Sequence, residues 1–164
     1  MEFLTWIEST SISTFIREST SLLAAPGFLF VHILGMAIVA GCATMMDLAI
    51  LGVWPGTALK PLERLYPVIW VGFAINLITG TGLMMADAST RGRNWDLYLK
   101  LLFVIGGLIT LRQMRKHVFA DPAIDTKPVS SQAKRLAWAS IVCWFAAIVA
   151  GRLIAYVGPV PGLG

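Results

Sequence analysis

The sequence predicts an all-α integral membrane protein: a four-helix up-and-down bundle with an N-terminal interfacial amphipathic helix. Three observations carry this. The 164 residues are 57% hydrophobic and only 13% charged, against roughly 25% charged in a soluble domain. The apolar residues gather into four runs, and the first, Leu22 to Val53, exceeds the roughly 20 residues that cross a bilayer. The connections between runs are short, which makes sequential helices antiparallel neighbours. Residues 1–21 are then the interfacial helix and 22–158 the bundle, with spans about 22–53, 68–87, 97–117 and 134–157. Residues 159–164 are a C-terminal tail.

In the N-terminal segment Phe3, Leu4, Ile7, Ile12, Phe15 and Ile16 recur on one helical face, with Ser, Thr and Glu between them. It is too polar to span and suits a helix lying at the headgroups, where Trp6 would sit. Glu2 and Glu8 take the place of a basic signal-peptide start, so this segment is expected to be retained. Pro26 and Gly27 turn the chain into span 1. Span 2 follows a connection marked by Pro55, Gly56, Pro61 and Pro67. It carries Gly72, Asn76 and Gly80 at i, i+4 and i+8, a narrow stripe for close helix approach. Span 3 starts after Asn94, and Gly106 and Gly107 again imply close packing. Its basic end, Arg112 to His117, extends into the headgroups. Span 4 ends before GPVPGLG, which cannot continue a helix. Cys42 and Cys143 lie inside apolar runs and read as small free hydrophobes.

The positive-inside rule sets orientation. Lys60, Arg64, Arg112, Arg115, Lys116, Lys127, Lys134 and Arg135 lie on one side, and Arg17, Arg91 and Arg93 on the other. The protein is therefore expected to be a multi-pass protein of the bacterial inner (cytoplasmic) membrane, with both termini periplasmic. No basic run with interleaved aromatics points to nucleic acid. A phosphate-binding glycine loop, a nucleophile elbow and a zinc pattern are absent, which argues against nucleotide chemistry and hydrolysis.

Ionisable residues inside spans are functional candidates by default. At a rise of about 1.5 Å per residue, His32 sits roughly 13 Å below the outer face, Arg152 roughly 8 Å and Lys100 roughly 5 Å. The outer half thus gathers His32, Met36, Met84, Met85, Lys100 and Arg152 from four helices. Imidazole as axial ligand, with cations for two propionates, is the donor set of haem b; a quinone headgroup held by hydrogen bonds to its carbonyls suits the same residues. His32 is the metal ligand in the haem reading, and Arg152, Lys100, Met36 and Met84 complete the cofactor site. His117 falls roughly 17 Å from the level of His32, too far to ligate the same iron. A second His32 across a homodimer, a methionine or water would have to serve instead. His32 also has a plain reading, as a single hydrogen bond fixing helix packing. The ladder of His32, Met36, Cys42, Met45 and Met46 offers soft ligands for copper. Asp47 is expected to form a structural ion pair with Arg64 or Arg112.

His32 in VHILGMAI, Asp47 in MDLAILG, the TGTG of Thr79 to Gly82, Lys100 in LKLLF and Arg152 in AGRLIAY resemble an uncharacterised bacterial four-helix membrane protein family. That family is similar to copper-resistance-D and di-haem cytochrome b type bundles. The resemblance runs from about Phe28 to Tyr156. It implies haem ligation by histidine pairs and electron exchange with quinone, but this chain lacks the pairs. The expected function is a membrane redox protein that binds haem b, interacts with quinone, or both, in its periplasm-facing half. The alternatives are a non-catalytic membrane subunit or assembly factor, and copper handling. Beyond the lipid bilayer, the partners implied are a periplasmic or membrane redox protein and a second copy of the chain. Catalytic turnover is left open by the residues.

Overall fold

A computed structural model describes residues 2–92 and 94–153. Arg93, the end of span 4 beyond Leu153 and the 159–164 tail lie outside the described residues. The described chain is all-α: α1 (Glu2–Glu8), α2 (Ser11–Glu18), α3 (Ala25–Leu51), α4 (Leu65–Met85), α5 (Ala88–Arg91), α6 (Trp95–Met114) and α7 (Ser131–Leu153). A 3-10 turn at Lys60–Arg64 leads into α4, and a π-helical turn at Arg115–Phe119 continues α6. Four helical stretches, Ala25–Leu51, Lys60–Met85, Trp95–Phe119 and Ser131–Leu153, are long and apolar enough to cross a membrane.

Local chemistry sets the boundaries and explains where they depart from the apolar runs. Gly52 closes α3 in the left-handed region (φ 81°) and donates its N–H to Ala49 O, so the helix stops short of Val53. The helix α4 starts before Pro67 rather than after it, because proline is tolerated within a first helical turn. Asn94 caps α6 by accepting the Asp96 N–H at 3.0 Å, and Ser130 caps α7 by accepting the Ala133 N–H at 3.1 Å. The single N-terminal helix expected from the apolar face is two helices. Ser9 Oγ donates to Trp6 O (2.7 Å) and Thr10 Oγ1 to Ile7 O (2.8 Å), ending α1, and Thr10 then caps α2.

Close approaches fix two antiparallel pairs. On α3 and α4, Phe28 meets Gly82, His32 meets Gly80, Gly35 meets Asn76, and Ile38 and Val39 meet Gly72. The Gly72–Asn76–Gly80 stripe therefore faces α3, as close packing requires. On α6 and α7, Cys143 meets Gly106, Trp144 meets Gly107, and Lys100 meets Gly151. A Cβ on Gly107 would stand 2.7 Å from Trp144 Cε2, so only glycine fits there. The helix α7 also packs on α3. The two ends of the molecule follow: an upper end bearing α1, α2 and α5, and a lower end bearing the turns 52–64 and 115–130.

Both ends are tied by carboxylates. At the upper end Glu8 of α1 accepts the backbone N–H and the hydroxyl of Ser89, each at 2.7 Å, and so caps α5. At the lower end Asp125 accepts the N–H groups of Leu59 and Lys60, while Lys60 Nζ donates to Phe119 O at 2.8 Å. The main apolar core fills the lower half, around Met46, Ile50, Ile69, Met114, Phe119 and Trp144. The upper half is packed by glycine and polar side chains, with Phe28 and Ile16 against Gly82.

Candidate functional site

The upper-half site is a hydrogen-bonded chain across three helices. His32 projects from α3 toward α4 and α6, one turn above Gly35. Gly80 lets the imidazole lie against α4, since a Cβ there would stand 3.0 Å from His32 Cε1. On one side His32 Nδ1 is 3.0 Å from Thr79 Oγ1, and on the other Nε2 is 3.3 Å from Lys100 Nζ. Gly151 of α7 leaves a slot for the lysine stem, whose Cδ and Cε would stand 3.5 Å from a Cβ at that position.

The proton positions follow from the partners. Thr79 commits its hydroxyl hydrogen to Ile75 O at 2.7 Å, so Thr79 Oγ1 accepts from His32 Nδ1–H. The imidazole nitrogen that remains, Nε2, carries a lone pair and accepts from the Lys100 ammonium. The chain of donors thus runs Lys100 to His32 to Thr79 to the α4 backbone. Lys100 makes no ion pair among the described residues. Asp87, at the upper rim, is held by Arg91 at 3.4 Å. Asp96 is buried at the head of α6 with Oδ2 unpaired.

Of the residues expected to share this site, the structure brings together His32 and Lys100. Met36 lies half-buried one turn below His32 on the same helix. Arg152 is on an exposed side of α7 and Met84 is 36% exposed on α4. A haem would need Nε2 of His32 as its ligand, and that atom is the acceptor of Lys100. The opposite side of the ring is closed by the α4 backbone at Gly80. The residues as arranged therefore do not fit an axial haem ligand. For copper, Met45 is 48% exposed while Met46 is fully buried, so the two point apart, and Cys42 is a half-buried free thiol. No group of three or more His, Cys, Asp or Glu able to hold a metal ion occurs among the described residues.

The expected Asp47 ion pair does not form. Asp47 is fully buried in the lower half and makes no ion pair among the described residues; its carboxylate faces the Ser140 hydroxyl of α7 without close hydrogen-bond geometry. It lies on the face of α3 that packs inward with Met46 and Ile50, whereas Arg64 and Arg112 are exposed on the outside of their elements. Trp144 Nε1 on α7 is also buried and unpaired, as are Asn76 Nδ2 and Oδ1 on α4.

Thr79 was the partner that the apolar runs concealed. Its place in the small-residue stripe, three residues after Asn76 and beside Gly80, is the signal that puts its hydroxyl on the α3 side. No family model matches the sequence, no curated protein is significantly similar to it, and no solved structure matches its fold.

Proposed function

We propose that this is a multi-pass membrane protein of redox type, a four-helix up-and-down bundle in a bacterial inner membrane, which binds a quinone headgroup at Lys100 and His32. Large apolar side chains face outward along all four long helices, among them Phe30, Ile78, Leu102 and Phe145. Exposed apolar area on this scale suits lipid rather than water. The exposed tryptophans support the same placement: Trp6 and Trp95 at the upper end, Trp54, Trp70 and Trp138 toward the lower. The basic lower end is then cytoplasmic and the upper end periplasmic.

The observation that carries the ligand reading is the Lys100–His32 pair. It is a lysine donor beside an imidazole acceptor inside the upper half, with no carboxylate engaging the lysine among the described residues. A quinone carbonyl accepts hydrogen bonds from such a donor, and an apolar wall suits its ring. A redox partner supplies or takes the electrons. The test is photolabelling of membranes with an azido-quinone. We expect labelled peptides from α3 or α6, and labelling reduced at least about tenfold, some 1.4 kcal/mol, in Lys100→Met. Equal labelling of wild type and Lys100→Met would overturn the assignment. An optical spectrum of the same preparation tests haem, because a Soret band lost in His32→Ala would replace quinone with haem.

A second reading rests on the closed hydrogen-bond chain. Lys100, His32 and Thr79 satisfy one another, as a packing device in a non-catalytic subunit or assembly factor requires. Under that reading Lys100→Met destabilises the protein by about 0.6–1.7 kcal/mol, the range for polar contacts between membrane helices, and leaves quinone labelling unchanged.

A further inference from the structure

We infer that the groove at the lower end, between α4 and the end of α6, binds the phosphate headgroup of an anionic phospholipid. The inference rests on the membrane placement proposed above, but not on the quinone site at the opposite end.

The groove is a cavity of about 400 Å³. Its α4 side is Tyr66, Ile69 and Trp70. Tyr66 and Ile69 are buried and form the floor, with Tyr66 Oη donating to Leu111 O at 3.1 Å across the two helices. That bond marks the place where α4 and α6 touch. The opposite side is cationic: Arg112, Arg115 and Lys116. Their spacing of i, i+3 and i+4 puts all three on one helical face, at the junction where α6 passes into its π-helical turn. Departures of this kind inside helices are frequent at functional sites.

The charges are unbalanced. No carboxylate lines the groove, and none of the three cations has an ion-pair partner among the described residues. Glu63, on the turn leading into α4, pairs with Lys60 at 2.9 Å and acts on Arg115 only through space, with no ion pair between them. Arg115 is held over the Tyr66 ring, 5.4 Å from its centroid, which aims the guanidinium along the groove. Three like charges side by side repel one another, and a phosphate relieves that repulsion while accepting hydrogen bonds from each. The floor and Trp70 are apolar and aromatic, which suits a glycerol backbone and the head of an acyl chain rather than a hydrated ion. A basic pocket between spans at the cytoplasmic side is where anionic lipid headgroups bind.

The experiment measures binding to the full-length protein in a neutral detergent by native mass spectrometry and by the shift in thermal midpoint. The probes are a soluble short-chain phosphatidylglycerol, phosphatidylcholine of the same chain length, and inorganic phosphate. Phosphatidylglycerol is expected to bind and stabilise. Arg112→Gln and Lys116→Gln are each expected to weaken it about fivefold, since one cation near an anionic headgroup contributes about 1 kcal/mol. Both side chains are exposed, so the fold does not depend on them. Lys127→Gln, outside the groove, is expected to bind as wild type does. Equal binding of phosphatidylcholine, an equal response to inorganic phosphate, or the same loss in Lys127→Gln would each overturn the proposal. Alkaline carbonate extraction separates the two levels. A chain released from membranes sinks the membrane placement itself, whereas a retained chain without lipid preference sinks only this site.

Discussion

The lower half of the four long helices is built from bulk and the upper half from hydrogen bonds. Below, Met46, Ile50, Ile69, Met114, Phe119 and Trp144 are all at or below 2% exposure and form one contiguous core. Above, the helices meet through Gly35, Asn76, Gly80, Gly82 and Gly151, and the side chains between them are His32, Thr79 and Lys100. Unpaired buried polar atoms occur in both halves: Asn76 Nδ2 and Oδ1 and Asp96 Oδ2 above, Trp144 Nε1 and the Asp47 and Ser140 side chains below. What separates the halves is therefore the bulk of the core below and the chain of side-chain hydrogen bonds across three helices above.

Truncation inside the lower core is expected to have the largest effect. Trp144→Ala removes an indole that fills the space above Gly107, and loss of a fully buried aromatic costs about 3–5 kcal/mol. Met84→Ala in the upper half, at a side chain 36% exposed, is expected to stay within about 1 kcal/mol by comparison. Thermal unfolding of both variants in the same detergent checks the contrast. Equal losses would show that the two halves share one core.

The apolar runs made the four long helices readable, because period and length suffice to identify them. The glycine stripe on α4 was also readable, because close approach leaves a mark in residue size: Gly72, Asn76 and Gly80 face α3 as their spacing implied. Depth along antiparallel helices put His32 and Lys100 at one level, but their hydrogen bond to each other did not follow from it. Rotation about each axis did not follow. In helices apolar all round there is no polar stripe to mark the inward side. Arg152 and Met84 were therefore placed at the right level, yet they lie on exposed sides. Asp47 is the same lesson reversed. An arginine at its level suggested an ion pair, but the carboxylate turns inward and the arginines outward. The caps by Glu8 and Asp125 join segments far apart in sequence, and no local pattern announces them.

A gain in stability is expected next. Asp47 buries two carboxylate oxygens that only the Ser140 hydroxyl faces, without close hydrogen-bond geometry, and an unsatisfied buried polar group costs about 1–3 kcal/mol. Asp47→Val retains a compact branched shape and removes both oxygens, so it is expected to raise the unfolding free energy by that amount. The same substitution in the upper cluster, Thr79→Val, is expected to lower it, since it removes the hydroxyl that accepts from His32 Nδ1 and leaves only the Asn76 backbone beside the ring. A loss in both variants would mean that the contact of Asp47 with Ser140 stabilises the fold.

The smallest effect is confined to the upper rim and depends on pH. Two hydrogen bonds from Ser89, backbone first and hydroxyl second, hold the Glu8 carboxyl below its ordinary value of 4.5, with a further contribution from Arg17. A carboxyl whose folded value is depressed stabilises the docked state above its unfolded value and loses that contribution as pH falls through the folded one. The α1–α5 contact is thus expected to be intact at pH 6 to 7, to weaken only below about 4.5, and to leave the helices beneath it folded. Hydrogen exchange at the Ser89 amide, followed against pH and corrected for the intrinsic rate, reads this directly. Protection there is expected to fall on acidification in wild type. In Glu8→Gln it is expected to be lower and flat with pH, because the amide oxygen still accepts but carries no charge to titrate. Protection that falls equally in both would assign the acid sensitivity to another group.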